Sequence, residues 1–149
     1  MRIPRRGLLG LAALAGLLTT LLAPQAAFAA YYGGEINHAA SIDYPPDTDW
    51  YRKCVSVTGA MACLQPYGDD LYIYDSSADG HSAAMIWFDA DSARSGTCVS
   101  QWGNGHWGWC NKDFTEGHTI YFAAAVYEAG NIVRNSSGSR PSPDSGVPQ

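Results

Sequence analysis

The sequence is short of charge, and shortest of cations. Only 15% of its 149 residues are charged, and the net charge is −5. Three of the nine Lys and Arg, namely Arg2, Arg5 and Arg6, fall in the first six residues. From residue 31 onward six cations face fourteen acids, a net charge of −8. Such a chain has no basic stripe to neutralise phosphates, which excludes nucleic acid and anionic membrane as partners. Low charge together with 46% hydrophobic and 12% aromatic residues also excludes a disordered chain or a coiled coil.

Catalytic and metal motifs are missing as well. There is no G-x-S-x-G, and His81 beside Ser82 is a sequence neighbour, not a base–nucleophile pair. His38, His81, His106 and His118 are isolated, with no H-E-x-x-H or other short ligand spacing. The cysteines are not spaced C-x2-C, which argues against zinc. The reading is a non-enzyme with no cofactor and no metal. One pattern leaves calcium open. Asp75-x-Ser77-x-Asp79-Gly80 matches the first six positions of an EF-hand loop, but position twelve is Ile86, where a bidentate Glu is needed. A turn in which Asp and Ser bond their own backbone accounts for it better.

What is present begins with an address. Arg2, Arg5 and Arg6 precede an uncharged apolar run from Gly7 to Leu22, and Ala27-Phe28-Ala29 forms an A-x-A cleavage site. This is the pattern of a secretory signal over residues 1–30. The run is shorter than the ~20 residues that a spanning helix needs. Arg5-Arg6 also permits twin-arginine export, so the route stays open. The mature chain is expected to be extracellular, with one modest core in ~119 residues.

Outside the cell, Cys54, Cys63, Cys98 and Cys110 read as two disulfides. Three pairings exist. Cys54–Cys63 and Cys98–Cys110 are favoured because each pair flanks a turn signal, Thr58-Gly59 or Gly103-Asn104-Gly105, and each would staple a hairpin.

Three zones follow the signal. Residues 31–50 show no sustained period, and Gly33-Gly34 and Pro45-Pro46 break regular structure. Yet Tyr31, Tyr32, Ile36 and Tyr44 make this segment unusually apolar, as befits an extended arm that docks into its own body or into a partner. Residues 51–134 read as a β domain. Apolar runs at 60–65, 71–74, 83–88, 97–102, 106–110, 119–127 and 132–134 are separated by turn signals at short intervals. The fold class is all-β, a small disulfide-bridged sandwich or barrel. Residues 135–149, rich in Ser, Pro and Gly, read as a disordered tail.

Aromatics exceed what so small a core needs. Trp107 and Trp109 stand two apart and should share one face of a strand, packing beside the disulfide or presented to a ligand.

The stretches Gly68 to Asp75, Ala78 to Ala83 and Gly105 to Asn111 resemble a group of small secreted actinobacterial proteins with four cysteines and a compact β body. In size, export and N-terminal arm the chain is similar to the adaptor subunit of streptomycete umbrella toxin particles. The resemblance implies an adaptor that joins a lectin-like subunit to a large repeat-containing toxin. It implies an arm from Tyr31 to Tyr44 inserted in one partner's cleft and a β body that grips the other. Partner-binding residues chosen on physical grounds are Tyr31, Tyr32, Ile36, Tyr44, Trp107 and Trp109. Two alternatives stand beside the adaptor. One is an enzyme inhibitor working through the Thr58-Gly59-Ala60-Met61 loop. The other is a carbohydrate-binding module using Trp107 and Trp109.

Overall fold

The computed structural model describes residues 34–46, 52–136 and 140–143. The signal segment, Tyr31, Tyr32 and the last six residues lie outside them. Among the described residues there is no helix. Eleven strands run in order: β1 (Glu35–His38), β2 (Ala40–Ile42), β3 (Lys53–Val57), β4 (Ala60–Gln65), β5 (Asp70–Asp75), β6 (Ser82–Asp89), β7 (Ser95–Ser100), β8 (Trp107–Asn111), β9 (Thr119–Glu128), β10 (Asn131–Asn135) and β11 (Arg140–Pro143). They form two sheets. One is ordered β1-β7-β6-β9-β10, with β11 also on β9, and the other β2-β8-β5-β4-β3. The expected all-β, disulfide-bridged sandwich is the observed fold.

Alternation of side chains explains the layering. Ala62 and Leu64 on β4 and Leu71 and Ile73 on β5 face Met85 and Trp87 on β6 and Phe122, Ala124 and Val126 on β9. These residues are nearly inaccessible to solvent. Each large apolar side chain buried here contributes about 1.5–3 kcal/mol before the cost of ordering the chain. On β6 and β9 the intervening residues Ala84, Ile86, Ala123 and Ala125 make a second apolar cluster with Val99 on the sheet's other face. That is why both runs read as continuously apolar instead of alternating.

Turn chemistry sets the hairpins. Ala129 and Gly130 both take positive φ, 46° and 92°, in the two-residue turn between β9 and β10. That conformation suits the right-handed twist of the flanking strands.

The N-terminal segment is extended, and its residues 35–42 dock into the chain's own body. β1 pairs in parallel with β7, from Glu35 opposite Gly96 to His38 opposite Val99. One residue later the chain changes sheets, and β2 pairs antiparallel with β8, Ile42 opposite Trp107. The residue at the crossing, Ala39, is buried; its N–H donates to Val99 O (2.9 Å), and its carbonyl accepts from Trp102 Nε1 (2.8 Å). The strand system therefore begins well before residue 51. It also extends past residue 134, since Arg140–Pro143 pairs with Thr119–Phe122.

Both favoured disulfides are present. Cys54 and Cys63 lie directly opposite each other on β3 and β4, so this bridge staples a hairpin as expected. Cys98–Cys110 does not. Cys98 is on β7 and Cys110 on β8, which belong to different sheets, so the bridge ties the two layers together across a Cα–Cα distance of 6.3 Å. The Gly103–Gly105 turn carries the chain from one sheet to the other instead of closing a hairpin, with both glycines at positive φ.

A candidate binding surface of aromatic rings

On β5 and β8 the residues that alternate with the core point away from the sandwich. Leu71, Ile73 and Cys110 face inward, so Tyr72, Tyr74, Trp107 and Trp109 share the outer face. Register then fixes a row across four strands: Ile42, Trp107, Tyr74 and Met61 stand side by side. All four are half-buried. Tyr44, just beyond β2, is 63% exposed and meets Trp107 edge-on, with centroids 5.9 Å apart and ring planes at 74°. Tyr74 lies 5.0 Å from Trp107 on the other side, tilted by 38°.

A second row runs Ala40, Trp109, Tyr72 and Cys63. Here the rings are fixed by a carboxylate. Trp109 Nε1 donates to Asp70 Oδ1 at 2.6 Å, Asn111 Nδ2 donates to the same oxygen at 3.0 Å, and Tyr72 OH donates to Oδ2 at 3.2 Å. Arg52 lies 6.0 Å over the Tyr72 ring. Asp70 thus supplies acceptors that Tyr and Trp need when they are partly desolvated, and holds the second row rigid.

Of the residues chosen from the sequence, the structure brings Tyr44 and Trp107 into contact, with Trp109 on the same face. Ile36 is elsewhere. It is 46% exposed on β1, on the side opposite Glu35 and Asn37, which face Lys112. Trp87 belongs to the core at 1% exposure. A further exposed pair was not read from the sequence. Phe88 and Tyr121 lie opposite each other on β6 and β9, 38% and 37% exposed, on the outer face of the other sheet. Continuous apolar runs hide such residues, because only the phase of the strand separates Phe88 from Trp87.

The remaining chemical candidates resolve into turns and bridges. Ser77 N–H donates to Asp75 Oδ1 (3.0 Å) and His81 N–H to Asp79 Oδ1 (3.1 Å), so both aspartates bond the backbone two residues on. The His81 bond holds the exposed Asp79 carboxyl below its usual range. His81 faces Asp79 and Glu128, at 3.2 and 3.1 Å, rather than forming a pair with Ser82. Burial pushes Asp69 up, partly offset by the Phe114 N–H that it accepts. The Thr58–Met61 loop is a tight turn in which Gly59 and Ala60 are buried and Arg134 donates to Thr58 O at 2.7 Å.

The chain matches no protein-family model, no curated protein and no solved structure. Two disulfides fit an oxidising, extracellular environment. Among the described residues no helix is long and apolar enough to cross a membrane.

Proposed function

We propose that this protein is a secreted, non-catalytic adaptor that binds other proteins through the outer faces of its sandwich. The observation that carries the reading is the Tyr44–Trp107–Tyr74 cluster, three partly exposed rings flanked by Ile42 and Met61. Aromatic anchors on a rigid sheet expose large contact area at little cost in side-chain entropy, which is the make-up of an interface hot spot. Ring geometry favours a protein over a sugar. Planes at 74° and 38° to Trp107 give no common flat platform on which successive sugar rings could stack. They make a faceted surface that suits an inserted side chain. Phe88 and Tyr121 offer a second contact on the opposite side of the molecule, as a protein joining two partners requires. An extracellular toxin assembly, with a lectin-like subunit on one side and a large repeat-containing polypeptide on the other, is the specific form of this reading.

The test is affinity capture from the culture supernatant of the source cells, with wild type, Trp107→Ala and Phe88→Ala compared. Wild type is expected to recover two partners in stoichiometric amounts, with each variant losing one. Identical recovery by all three would overturn the assignment of these surfaces. Quenching of tryptophan fluorescence by oligosaccharides, abolished in Trp107→Ala, would replace it with carbohydrate binding.

A further inference from the structure

The turn after β6 and the loop before β9 bring together three metal-ligating side chains that the binding surfaces do not use. One oxygen each of Asp89 and Asp91 and one ring nitrogen of His118 lie within 4.8 Å of one another. Asp89 is 1% exposed, and among the described residues its only ion-pair partner is His118, with Nδ1 at 3.0 and 3.1 Å from its two oxygens. Its remaining bonds come from Ser92 Oγ and the N–H groups of Asp91 and Ser92. Asp91 Oδ2 accepts from Thr119 N–H at 2.7 Å, which aims the exposed carboxylate back at the same point.

We infer that Asp89, Asp91 and His118 form a site for a divalent transition metal, zinc in the first instance. The cation takes the place of the proton between His118 Nδ1 and the Asp89 carboxylate. Two observations carry this together. A nitrogen and two carboxylates converge from two chain segments, and since ligands about 2.0–2.2 Å from a tetrahedral zinc stand about 3.4 Å apart, donors already within 4.8 Å of one another need draw in by no more than about 1.5 Å. A nearly inaccessible carboxylate whose only ion-pair partner among the described residues is a histidine also gains most from a dication, since a buried anion is costly without a counter-charge. The mixed nitrogen–oxygen set suits zinc or its first-row neighbours better than calcium, which takes six to eight oxygens. Water completes the coordination, so the site is a loop clasp open to solvent. Bound metal would pin the 89–94 turn to the loop entering β9, next to the exposed Phe88 and Tyr121. Nothing in this site depends on those two rings binding a partner.

The experiment uses the mature protein without a histidine tag, stripped with chelator and titrated with zinc chloride by calorimetry, alongside thermal melts. One zinc per chain is expected, with a rise in melting temperature reversed by chelator. Asp91→Asn keeps an acceptor for Thr119 N–H, and His118→Gln keeps a polar side chain. Each is expected to weaken zinc binding about tenfold or more. Circular dichroism checks that both remain folded. No heat and no shift in melting temperature up to about 1 mM zinc would overturn the site, since that limit corresponds to a Kd too weak to matter. So would equal affinity in wild type and both variants. Binding lost in Asp79→Asn but kept in Asp91→Asn would overturn it too, by placing the cation in the 75–80 loop.

Discussion

Glu35 and Lys112 are 77 positions apart and meet in a 2.7 Å ion pair that locks the first strand onto the body. The Lys112 side chain is 4% exposed. Its ammonium also donates to Asn37 Oδ1 and lies 4.9 Å from the Trp87 ring centre. Arg94 adds a second bond to Glu35 at 2.9 Å while lying over Trp87 and Phe114. Two cations thus sit on aromatic faces and share one carboxylate.

Removing that carboxylate should cost stability. Glu35→Gln strips a buried ammonium of its counter-ion, and loss of one partner of a fully buried pair costs about 3–5 kcal/mol. Glu35 is itself 41% exposed, so solvent screening brings the expected loss down to about 1–2 kcal/mol. The Lys112 bond, with Arg94 behind it, holds the Glu35 carboxyl below its ordinary 4.5 against the upward push of burial. The folded state therefore binds the proton less tightly than the unfolded chain does. The stabilisation is complete above about pH 4.5 and is lost as pH falls through the lowered folded value. Denaturant melts of wild type and Glu35→Gln should differ at pH 7 and converge in acid. A constant difference across that range would mean that the pair does not act through charge.

The sheet-to-sheet crossing makes a steric prediction. A Cβ at Gly108 would stand 2.7 Å from both Ala39 Cβ and Ser100 Oγ. Glycine at this point of β8 is what lets Ala39 pass between the sheets. Gly108→Ala should push β1 and β2 outward and cost about 1–3 kcal/mol, as overpacking does. Hydrogen exchange should speed up at Ala39 N–H, whose acceptor is Val99 O. Unchanged exchange there would mean that the N-terminal strands are not seated on Gly108. The same seating implies that deleting residues 35–42 destabilises the body, because it removes an edge strand from each sheet and leaves Lys112 without Glu35 and Asn37.

Much of the sandwich was legible because seven strands, β4 to β10, announce themselves as apolar runs between turn residues. β1 and β2 did not. Glu35-Ile36-Asn37-His38 and Ala40-Ser41-Ile42 are too short for any period to register, and they are strands only because β7 and β8 offer free edges. β11, at Arg140-Pro141-Ser142-Pro143, is hidden for the opposite reason, since two prolines disqualify a central strand but are tolerated at an edge. Trp107 and Trp109 were readable as a pair from their spacing. Tyr44 against Trp107 was not, because it depends on β2 pairing with β8. Asp89 with His118 was likewise invisible, since a separation of 29 positions carries no spacing signal.

The two disulfides should differ in worth although their loops are alike. The sequence separations are 9 and 12, for which chain entropy gives about 2.5–3 kcal/mol each. Cys54 is exposed and Cys63 lies on the outer face, whereas Cys98 and Cys110 are both part of the core cluster. Replacing Cys98 and Cys110 together by Ala also removes packing between the layers, adding about 1–2 kcal/mol. The Cys54→Ala/Cys63→Ala protein should stay folded at 37 °C more readily than its Cys98→Ala/Cys110→Ala counterpart, as read from denaturant midpoints. Equal midpoints would mean that the inter-sheet bridge adds nothing beyond loop closure.

Asp75 makes a prediction of opposite sign to Glu35. It is 2% exposed, its Oδ1 accepts from Ser77 N–H, and its Oδ2 has no hydrogen-bond partner among the described residues. Burial raises its pKa above the ordinary 3.8, the Ser77 bond opposes this, and the nearby Asp79 charge adds to it. The folded state therefore holds the proton more tightly than the unfolded chain. Stability falls as pH rises from about 3.8 through the raised folded value, and the deficit persists to neutrality. Asp75→Asn keeps the acceptor for Ser77 and removes the charge. It should melt about 2–5 °C above wild type at pH 7, and the two should draw together below about pH 4. A lower melting temperature for Asp75→Asn at pH 7 would mean instead that Oδ2 holds a partner that the amide cannot serve, and the 75–80 loop would then have to be read as a binding loop.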